Sequence, residues 1–221
     1  MALAFARSRK ALSRSWGWGV YLSRAMQQQL REHLERIVSL TDEEFALVLA
    51  QFTSRQLRKH QFLIREGERV REMYFVVKGL LKLVHTDATG RAHVVSFAME
   101  DWWEGDFAAY LAQTPATLSL QCLEATAVWC LPLDGYEYLC RHLPQMTRFF
   151  LVKFTRGGVA AQQRILSLLA LPACERYELL LRQYTTLPQR VSKTLLAAYL
   201  GLSRETLSRL VEPYRAPKIV R

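Results

Sequence analysis

The stretch SKTLLAAYLGLSRETLSRL, residues 192–210, has the spacing of two short helices joined by a tight turn. Ala197 provides a small residue where the helices must approach, and Gly201 lies where the turn requires a positive φ. Ser192 and Ser203 precede the two helices as N-caps. The stretch therefore predicts a helix-turn-helix. Its inward-facing positions are all leucines: Leu196, Leu200, Leu202, Leu207 and Leu210.

Polar residues of the second helix are the predicted contacts with DNA bases. A helix-turn-helix places the first part of that helix in the major groove. Arg204 and Arg209 can each donate paired hydrogen bonds to guanine, and Glu205 can accept one from cytosine. Alternatively, Glu205 and Arg209 form an ion pair across one helical turn. Further predicted DNA contacts are Ser203, Thr206 and Ser208 on the second helix, with Ser192 and Lys193 at the start of the first.

The positive charge of the chain is concentrated at its ends. The net charge is +10, of which residues 182–221 contribute eight Lys and Arg against two Glu. Residues 1–25 contribute five basic residues and no acid, so the 156 residues between carry 17 basic and 18 acidic residues. Because attraction to nucleic acid depends on the local field, a basic module on a neutral body indicates a double-stranded DNA partner.

The four cysteines lie apart, without the clustered spacing that zinc or iron–sulfur ligation requires. We therefore predict no metal and no cofactor, and thiols kept reduced in the cytoplasm. No apolar stretch reaches the length of a membrane span, so we expect no membrane partner.

Residues 62–133 change from helical to β patterns, with short runs of branched and aromatic residues between turn signals. Many short strands at this spacing predict a jelly-roll β-barrel. Before it, Thr41 and Glu44 have the spacing of a helix capping box. The predicted strands are Met73–Val77, Leu80–His85, His93–Ala98 and Ala127–Leu131, with one of the turns at Asp134-Gly135.

Residues 143–171 return to helical periodicity, with Pro144 at a first-turn position. Such a helix between a β domain and a DNA-binding module predicts a homodimer seam, and its small residues permit close approach. Two-fold symmetry would place two recognition helices about 34 Å apart. The predicted seam residues are Phe150, Phe154, Gly157, Ala161, Ile165 and Leu168.

The two ends of the chain are interpreted separately. Residues 1–25 are compatible with a basic arm, a transit-like leader, or an early assigned start before Met26, and we favour the last. At the other end, Pro213 is expected to end the second helix. The tail is expected to follow the phosphate backbone through Arg215, Lys218 and Arg221. The predicted domains are thus residues 1–25, 26–142, 143–171 and 172–221.

This order of β-roll, long helix and helix-turn-helix resembles the CRP/FNR family of bacterial transcription regulators over roughly residues 30–212. The resemblance is most specific at SRETLSR, residues 203–209, where cyclic-AMP-responsive members have Arg-Glu-x-x-x-Arg. It implies an α+β fold ending in a winged-helix/helix-turn-helix domain, a TGTGA-like half-site for Arg204, Glu205 and Arg209, and RNA polymerase as a further partner. The segment CERYELLLRQY (174–184) is most similar to the Bacteroidetes-type subgroup.

The sensor half departs from the family's nucleotide-binding pattern. There a Gly-Glu pair holds the ribose and an Arg-containing run holds the cyclic phosphate. The second element falls within residues 114–121, which contain no Arg or Lys, so a buried phosphate would lack a compensating charge. We expect no cyclic AMP and no FNR-type iron–sulfur cluster, and leave any other small-molecule effector unidentified. The candidate ligand-binding residues at the first element are Gly105, Asp106, Phe107 and Ala108.

Two other functions stay open at this point. A cupin-like metal enzyme would share the β-roll, but His60, His85 and His93 do not form the HxH pair that its site requires. An interaction module of the cyclic-nucleotide-domain type would not need a helix-turn-helix. We therefore predict a sequence-specific DNA-binding regulator, not an enzyme. Trp102 and Trp103 are expected to pack in the core or between domains rather than to line a ligand cavity.

Overall fold

The computed structural model describes residues 19–215, with side chains from residue 24 to residue 211. Residues 1–18 of the predicted leader lie outside the described residues, and so do the predicted phosphate contacts through the side chains of Arg215, Lys218 and Arg221.

The first helix, α1 (Gly19–Glu35), continues across the domain boundary predicted at residue 26. Met26, Leu30 and Leu34 follow one another at four-residue steps, and all three are buried. This stripe packs into the main core, and the carbonyl of Met26 accepts a hydrogen bond from the Trp129 indole at 3.1 Å. Residues 19–25 therefore belong to the same helix as Met26.

The second helix, α2 (Asp42–Ala50), begins with the predicted capping box. The Thr41 hydroxyl accepts from the Glu44 N–H at 3.2 Å, and the Glu44 carboxylate accepts from the Thr41 N–H at 2.9 Å. Two otherwise unpaired backbone donors are thereby satisfied, which confirms this helix start.

Two four-stranded antiparallel sheets follow and form the β-roll, residues 53–132. The predicted strands are confirmed, and four shorter ones join them. One sheet has the order β1-β8-β3-β6, and the other β2-β7-β4-β5. A short helix, α3 (Phe107–Ala112), lies between the sixth and seventh strands. The strands are β1 (Thr53–Leu57), β2 (Phe62–Ile64), β3 (Glu72–Lys78), β4 (Leu81–Thr86), β5 (Ala92–Ala98), β6 (Trp103–Glu104), β7 (Ser119–Cys122) and β8 (Thr126–Pro132).

The helix α4 (Leu133–His142) replaces the turn predicted at Asp134-Gly135. A Cβ at Gly135 would lie 3.2 Å from the side chains of Gln51 and Leu131, so this glycine permits close packing of the helix instead of a turn. The long helix α5 (Pro144–Ala170) agrees with its predicted bounds and has Pro144 in its first turn.

The C-terminal module, residues 172–215, consists of α6 (Ala173–Gln183), α7 (Leu187–Arg190), α8 (Lys193–Leu200) and α9 (Arg204–Arg215). Its described residues contain no strand, so the β-wing of the winged-helix prediction is not found there. The nine residues between α6 and α8 contain the short helix α7 instead. The prediction that Pro213 ends the last helix is wrong, since α9 runs on to Arg215. A proline removes one backbone donor and can bend a helix without terminating it.

Candidate DNA-binding interface

The turn between α8 and α9 has the predicted backbone geometry. The Ser192 hydroxyl caps α8 by accepting from the Leu195 N–H at 3.3 Å. Gly201 ends α8 in the left-handed conformation with φ +66°, which only glycine adopts at low cost. The next N–H, of Leu202, donates back to the carbonyl of Ala197 at 2.9 Å. The turn is therefore closed by the backbone itself.

The two helices pack as the sequence predicted. Ala197 is 2% exposed, so no larger side chain fits between the helices without moving them. Of the five predicted leucines, Leu196, Leu200 and Leu207 are buried, and Leu202 and Leu210 are partly buried against the same cluster.

The start of α9 is capped by Ser203, whose hydroxyl accepts from the Thr206 N–H at 3.1 Å and lies 3.0 Å from the Thr206 hydroxyl. Hydrogen bonds from its own N–H and from the Ser203 side chain lower the pKa of the Glu205 carboxyl, and the nearby charges of Arg204 and Arg209 act in the same direction. No ion pair joins Glu205 to Arg209. The alternative surface pair predicted from their spacing is therefore not formed.

Two cations on α9 are not engaged by a hydrogen bond or an ion pair of the described chain. Among the described residues, Arg204 and Arg209 are exposed and take part in no hydrogen bond or ion pair. An unpaired guanidinium presents five N–H donors in a planar fork that matches a guanine edge or a phosphate. The face of α9 that carries these two arginines is called here the α9 face. Of the other predicted DNA contacts, Ser192 is exposed, and Ser208 and Lys193 are partly exposed.

Charge counting overstated how many basic residues of the module are free. Arg190 forms ion pairs with Glu100 and Glu124 of the β-roll, and Arg182 lies 3.7 Å from Glu178 on α6. The acids that pair with Arg190 lie 90 and 66 residues away in sequence. The pattern of charges along the sequence cannot reveal ion-pair partners that lie this far apart.

At the candidate ligand position, Asp106 is 2% exposed and fully engaged. Its carboxylate accepts from the backbone N–H groups of Ala109, Thr117 and Leu118 at 2.8–3.2 Å, and from the Thr117 hydroxyl at 3.1 Å. Three of these donors belong to the 114–121 segment, where the resembling family holds a phosphate. The Asp106 carboxylate therefore closes this loop from within. We call this arrangement the Asp106 loop.

The neighbours of Asp106 have packing roles as well. The Gly105 N–H donates to the carboxyl of Glu104 at 3.1 Å, and the Phe107 ring packs edge-on against Phe154 of α5 at 5.5 Å. Ala108 is exposed. Burial of Glu104 raises the pKa of its carboxyl to about 7, although the Ser96 hydroxyl donates to it at 2.6 Å.

The predicted seam on α5 needs one correction. Phe150 is 2% exposed and packs against Tyr136 at 4.8 Å and Trp103 at 5.7 Å within its own domain. It is therefore unavailable to a second chain. The other five predicted residues, Phe154, Gly157, Ala161, Ile165 and Leu168, are exposed on α5.

A heptad pattern of exposed residues on α5 adds Leu151 and Gly158 to the predicted seam. Leu151, Gly158 and Ile165 are seven residues apart, and all are exposed. They alternate at three- and four-residue steps with the second series, Phe154, Ala161 and Leu168. We call these six residues the α5 seam.

The two tryptophans pack as expected. Trp103 belongs to the aromatic core with Phe75 and Phe149, and Trp102 lies 5.5 Å from the Tyr184 ring of the C-terminal module. The His93 imidazole pairs with the Asp87 carboxylate at 2.7 Å. No group of three or more metal-ligating side chains occurs among the described residues, and none of their helices is long and apolar enough to span a membrane.

Comparison with known proteins assigns the class of the β-roll. Residues 54–142 match the cyclic nucleotide-binding domain family. The fold described above is also that of solved bacterial regulators, as the following comparisons show.

Individual relatives extend over most of the chain. The transcriptional activator protein Anr of Pseudomonas protegens is 27% identical over 177 residues, which cover 75% of this chain and 72% of Anr. The structure of FixK2 from Bradyrhizobium japonicum matches with a TM-score of 0.64 and 20% identity, covering 73% of this chain and 83% of FixK2. The Thermus thermophilus catabolite activator protein matches with a TM-score of 0.51 and 22% identity, covering 86% and 89% of the two chains.

Proposed function

We propose that this protein is a transcription regulator that binds DNA sequence-specifically through the α9 face. The observation that carries the proposal is a pair of exposed arginines, Arg204 and Arg209, that form no hydrogen bond or ion pair and lie on a capped helix after a closed turn. Five residues apart, they diverge around the helix and reach different base pairs. Glu205 lies between them as a candidate acceptor for cytosine.

The relatives support this proposal at a coarser level. The two curated ones are transcriptional activators of Pseudomonas, and they align with more than two thirds of this chain. RNA polymerase is included as a further partner on the ground of the family resemblance. The TGTGA-like half-site and the Bacteroidetes-type subgroup belong to the same proposal and rest on the sequence resemblance alone.

We further propose that the regulator is a homodimer joined along the α5 seam. The seam exposes Leu151 and Ile165 at 66% and 56% of their full areas, which is unusual for large apolar side chains on a single chain. A Cβ at Gly158 would meet nothing within 4 Å, so a second helix has room to approach closely. A symmetric pair of α9 faces would bind the two halves of a palindrome.

The Asp106 loop supports a β-roll that does not bind cyclic AMP. The backbone donors of Thr117 and Leu118 are already taken by a carboxylate, and residues 114–121 contain no cation. A phosphate entering here would meet a like charge without compensation. Calorimetry with cyclic AMP is expected to show no heat of binding, and micromolar affinity would contradict this.

Selection of bound fragments from a random duplex DNA library tests the proposed function. The full chain is expected to enrich an inverted repeat with half-sites about one helical turn apart, roughly 34 Å. Enrichment of no common sequence, or of a single unrepeated site, would overturn the proposal of a dimer that binds two symmetric half-sites.

Sedimentation of seam variants tests the dimer. Ile165→Glu places a charge in the α5 seam and is expected to shift the protein to the monomer. Gln163→Glu adds the same charge to an exposed position on another face of α5 and is expected to leave the dimer intact. A dimer that survives Ile165→Glu would rule out this seam.

A further inference from the structure

The C-terminal module is packed against the β-roll through a shared apolar cluster. Leu80, Val94 and Phe97 of the roll are buried together with the apolar residues of α6 and α8. The Phe97 ring lies 5.2 Å from that of Tyr199. The C-terminal module and the β-roll therefore share one apolar interface, called here the joint. Two arginines, Arg164 and Arg190, form hydrogen bonds across it.

Arg164, on α5, connects three parts of the molecule with one side chain. Its guanidinium donates to the carbonyls of Val94 and Val95 at 3.1 Å, and to the carbonyl of Tyr199 at 2.9 Å. It also lies 3.6 Å from the centre of the Tyr199 ring. β5 is the edge strand of its sheet, and Tyr199 lies in the last turn of α8, where backbone carbonyls have no partner within the helix.

Arg190 lies at the opposite end of α8, two residues before its N-cap. Its guanidinium donates twice to the Glu100 carboxylate, at 2.9 and 3.0 Å, and also to the Glu124 carboxylate at 2.5 Å. Glu100 in turn accepts from the Gly79 N–H at 2.8 Å, which holds the acid in place. These charged hydrogen bonds raise the pKa of Arg190. A paired, forked contact of this kind restricts direction as well as distance.

From these contacts we infer that Arg164 and Arg190 are positioning residues for DNA recognition: they fix α8 to the β-roll at both ends and thereby set the angle of α9 relative to the α5 seam. Because α9 packs on α8 through Leu207 and Ala197, the position of α8 also determines the angle of α9 relative to the α5 seam. In a symmetric dimer the angle decides which separation of half-sites both α9 faces can contact at once. The inference rests on the proposed function.

Binding to DNA duplexes that differ only in half-site separation tests this inference. The series uses the site selected by the wild-type protein, the same site lengthened or shortened by one and two base pairs, and a duplex with one half-site. The wild type is expected to lose about tenfold or more in affinity at altered separations, because both modules must engage at once. Arg164→Gln and the double variant Glu100→Gln/Glu124→Gln are expected to lose much less, about threefold, and to bind the single half-site as the wild type does.

The double variant keeps the charge of Arg190, so a change in it cannot come from lost attraction to phosphate. Arg182→Gln is the matched control, since it removes a cation from the same module at an exposed position without a contact to the roll. It is expected to keep the wild-type dependence on separation. Unchanged separation dependence in both joint variants would overturn the inference. Failure of the wild type to select any site would instead overturn the proposed function.

Discussion

The α9 face and the Asp106 loop differ in whether their polar groups are exposed and unbonded or buried and hydrogen-bonded. In the Asp106 loop, one carboxylate accepts four hydrogen bonds and is 2% exposed. On the α9 face, two guanidinium groups are exposed and donate to nothing in the described chain. The resembling family binds its ligand at the first place and DNA at the second. In this chain only the second has polar groups free to bind.

The difference follows from the cost of burial. A buried donor or acceptor without a partner destabilises the fold. In the absence of a ligand, the buried polar groups of the Asp106 loop must therefore form hydrogen bonds with one another. An exposed arginine is hydrated and costs nothing to leave unpaired. Unpaired polar groups at the surface of a rigid, capped helix are therefore a better sign of a binding site than polar groups in a closed loop.

Removing the Asp106 carboxylate is expected to have the largest effect on stability. Asp106→Ala leaves the N–H groups of Ala109, Thr117 and Leu118 without their acceptor, and each such loss costs about 1–3 kcal/mol. The free energy of unfolding, measured by urea denaturation, should fall by about 4 kcal/mol. The comparison variant Arg204→Ala should change it by less than about 0.5 kcal/mol. If both variants lost the same free energy of unfolding, the proposed difference between the Asp106 loop and the α9 face would be wrong.

Glu104 provides a pH test within the same part of the β-roll. Its pKa is raised from 4.5 to about 7 by burial, so the folded state favours the protonated carboxyl. The contribution to stability is complete below pH 4.5 and is lost as the pH rises through about 7, a change of roughly 3 kcal/mol.

The variant Glu104→Gln keeps a neutral group of the same shape beside Ser96 and Gly105. Denaturation curves recorded between the two pKa values should show a smaller dependence on pH for the variant than for the wild type. A wild-type stability that does not fall as the pH rises over this interval would contradict the raised pKa of Glu104, and so would an equal fall in the variant.

A smaller effect is expected at the turn that presents the α9 face. Gly201→Ala forces a side chain into the left-handed conformation at φ +66° and places its Cβ 3.4 Å from the Leu168 side chain. The free energy of unfolding should fall by about 1–2 kcal/mol. Gly201→Asn should cost less than Gly201→Ala, because asparagine tolerates this conformation better. The reverse order in thermal denaturation would show that backbone strain does not govern this position.

Local patterns allowed the sequence to predict the elements with strong periodicity or caps. Helix α5 was predicted at 143–171 and runs over Pro144–Ala170, and the roles of Gly201 and Ser203 in the turn are confirmed. These features depend on residues within one or two turns of each other. The strands β3, β4, β5 and β8 were found for the same reason, since they are rich in branched and aromatic residues and lie between turn signals.

Features that depend on distant partners could not be predicted. Strand β1 is largely exposed and polar, so only its pairing with β8 makes it a strand. Phe150 continues the apolar period of α5, yet the face it occupies packs on the β-roll, and the α5 seam lies one residue further round, at Leu151. The acids that engage Arg190 are likewise visible only in three dimensions.

The most direct test of the account is the affinity of the wild type and of Arg209→Ala for the selected site, with each base pair of the half-site replaced in turn. The wild type is expected to lose about 1–3 kcal/mol at the base pair that Arg209 contacts. The variant should bind the intact site more weakly by a similar amount and become indifferent to replacements at that base pair alone. A variant that is weakened equally on every sequence, with its base preferences intact, would contradict the claim that α9 reads DNA bases.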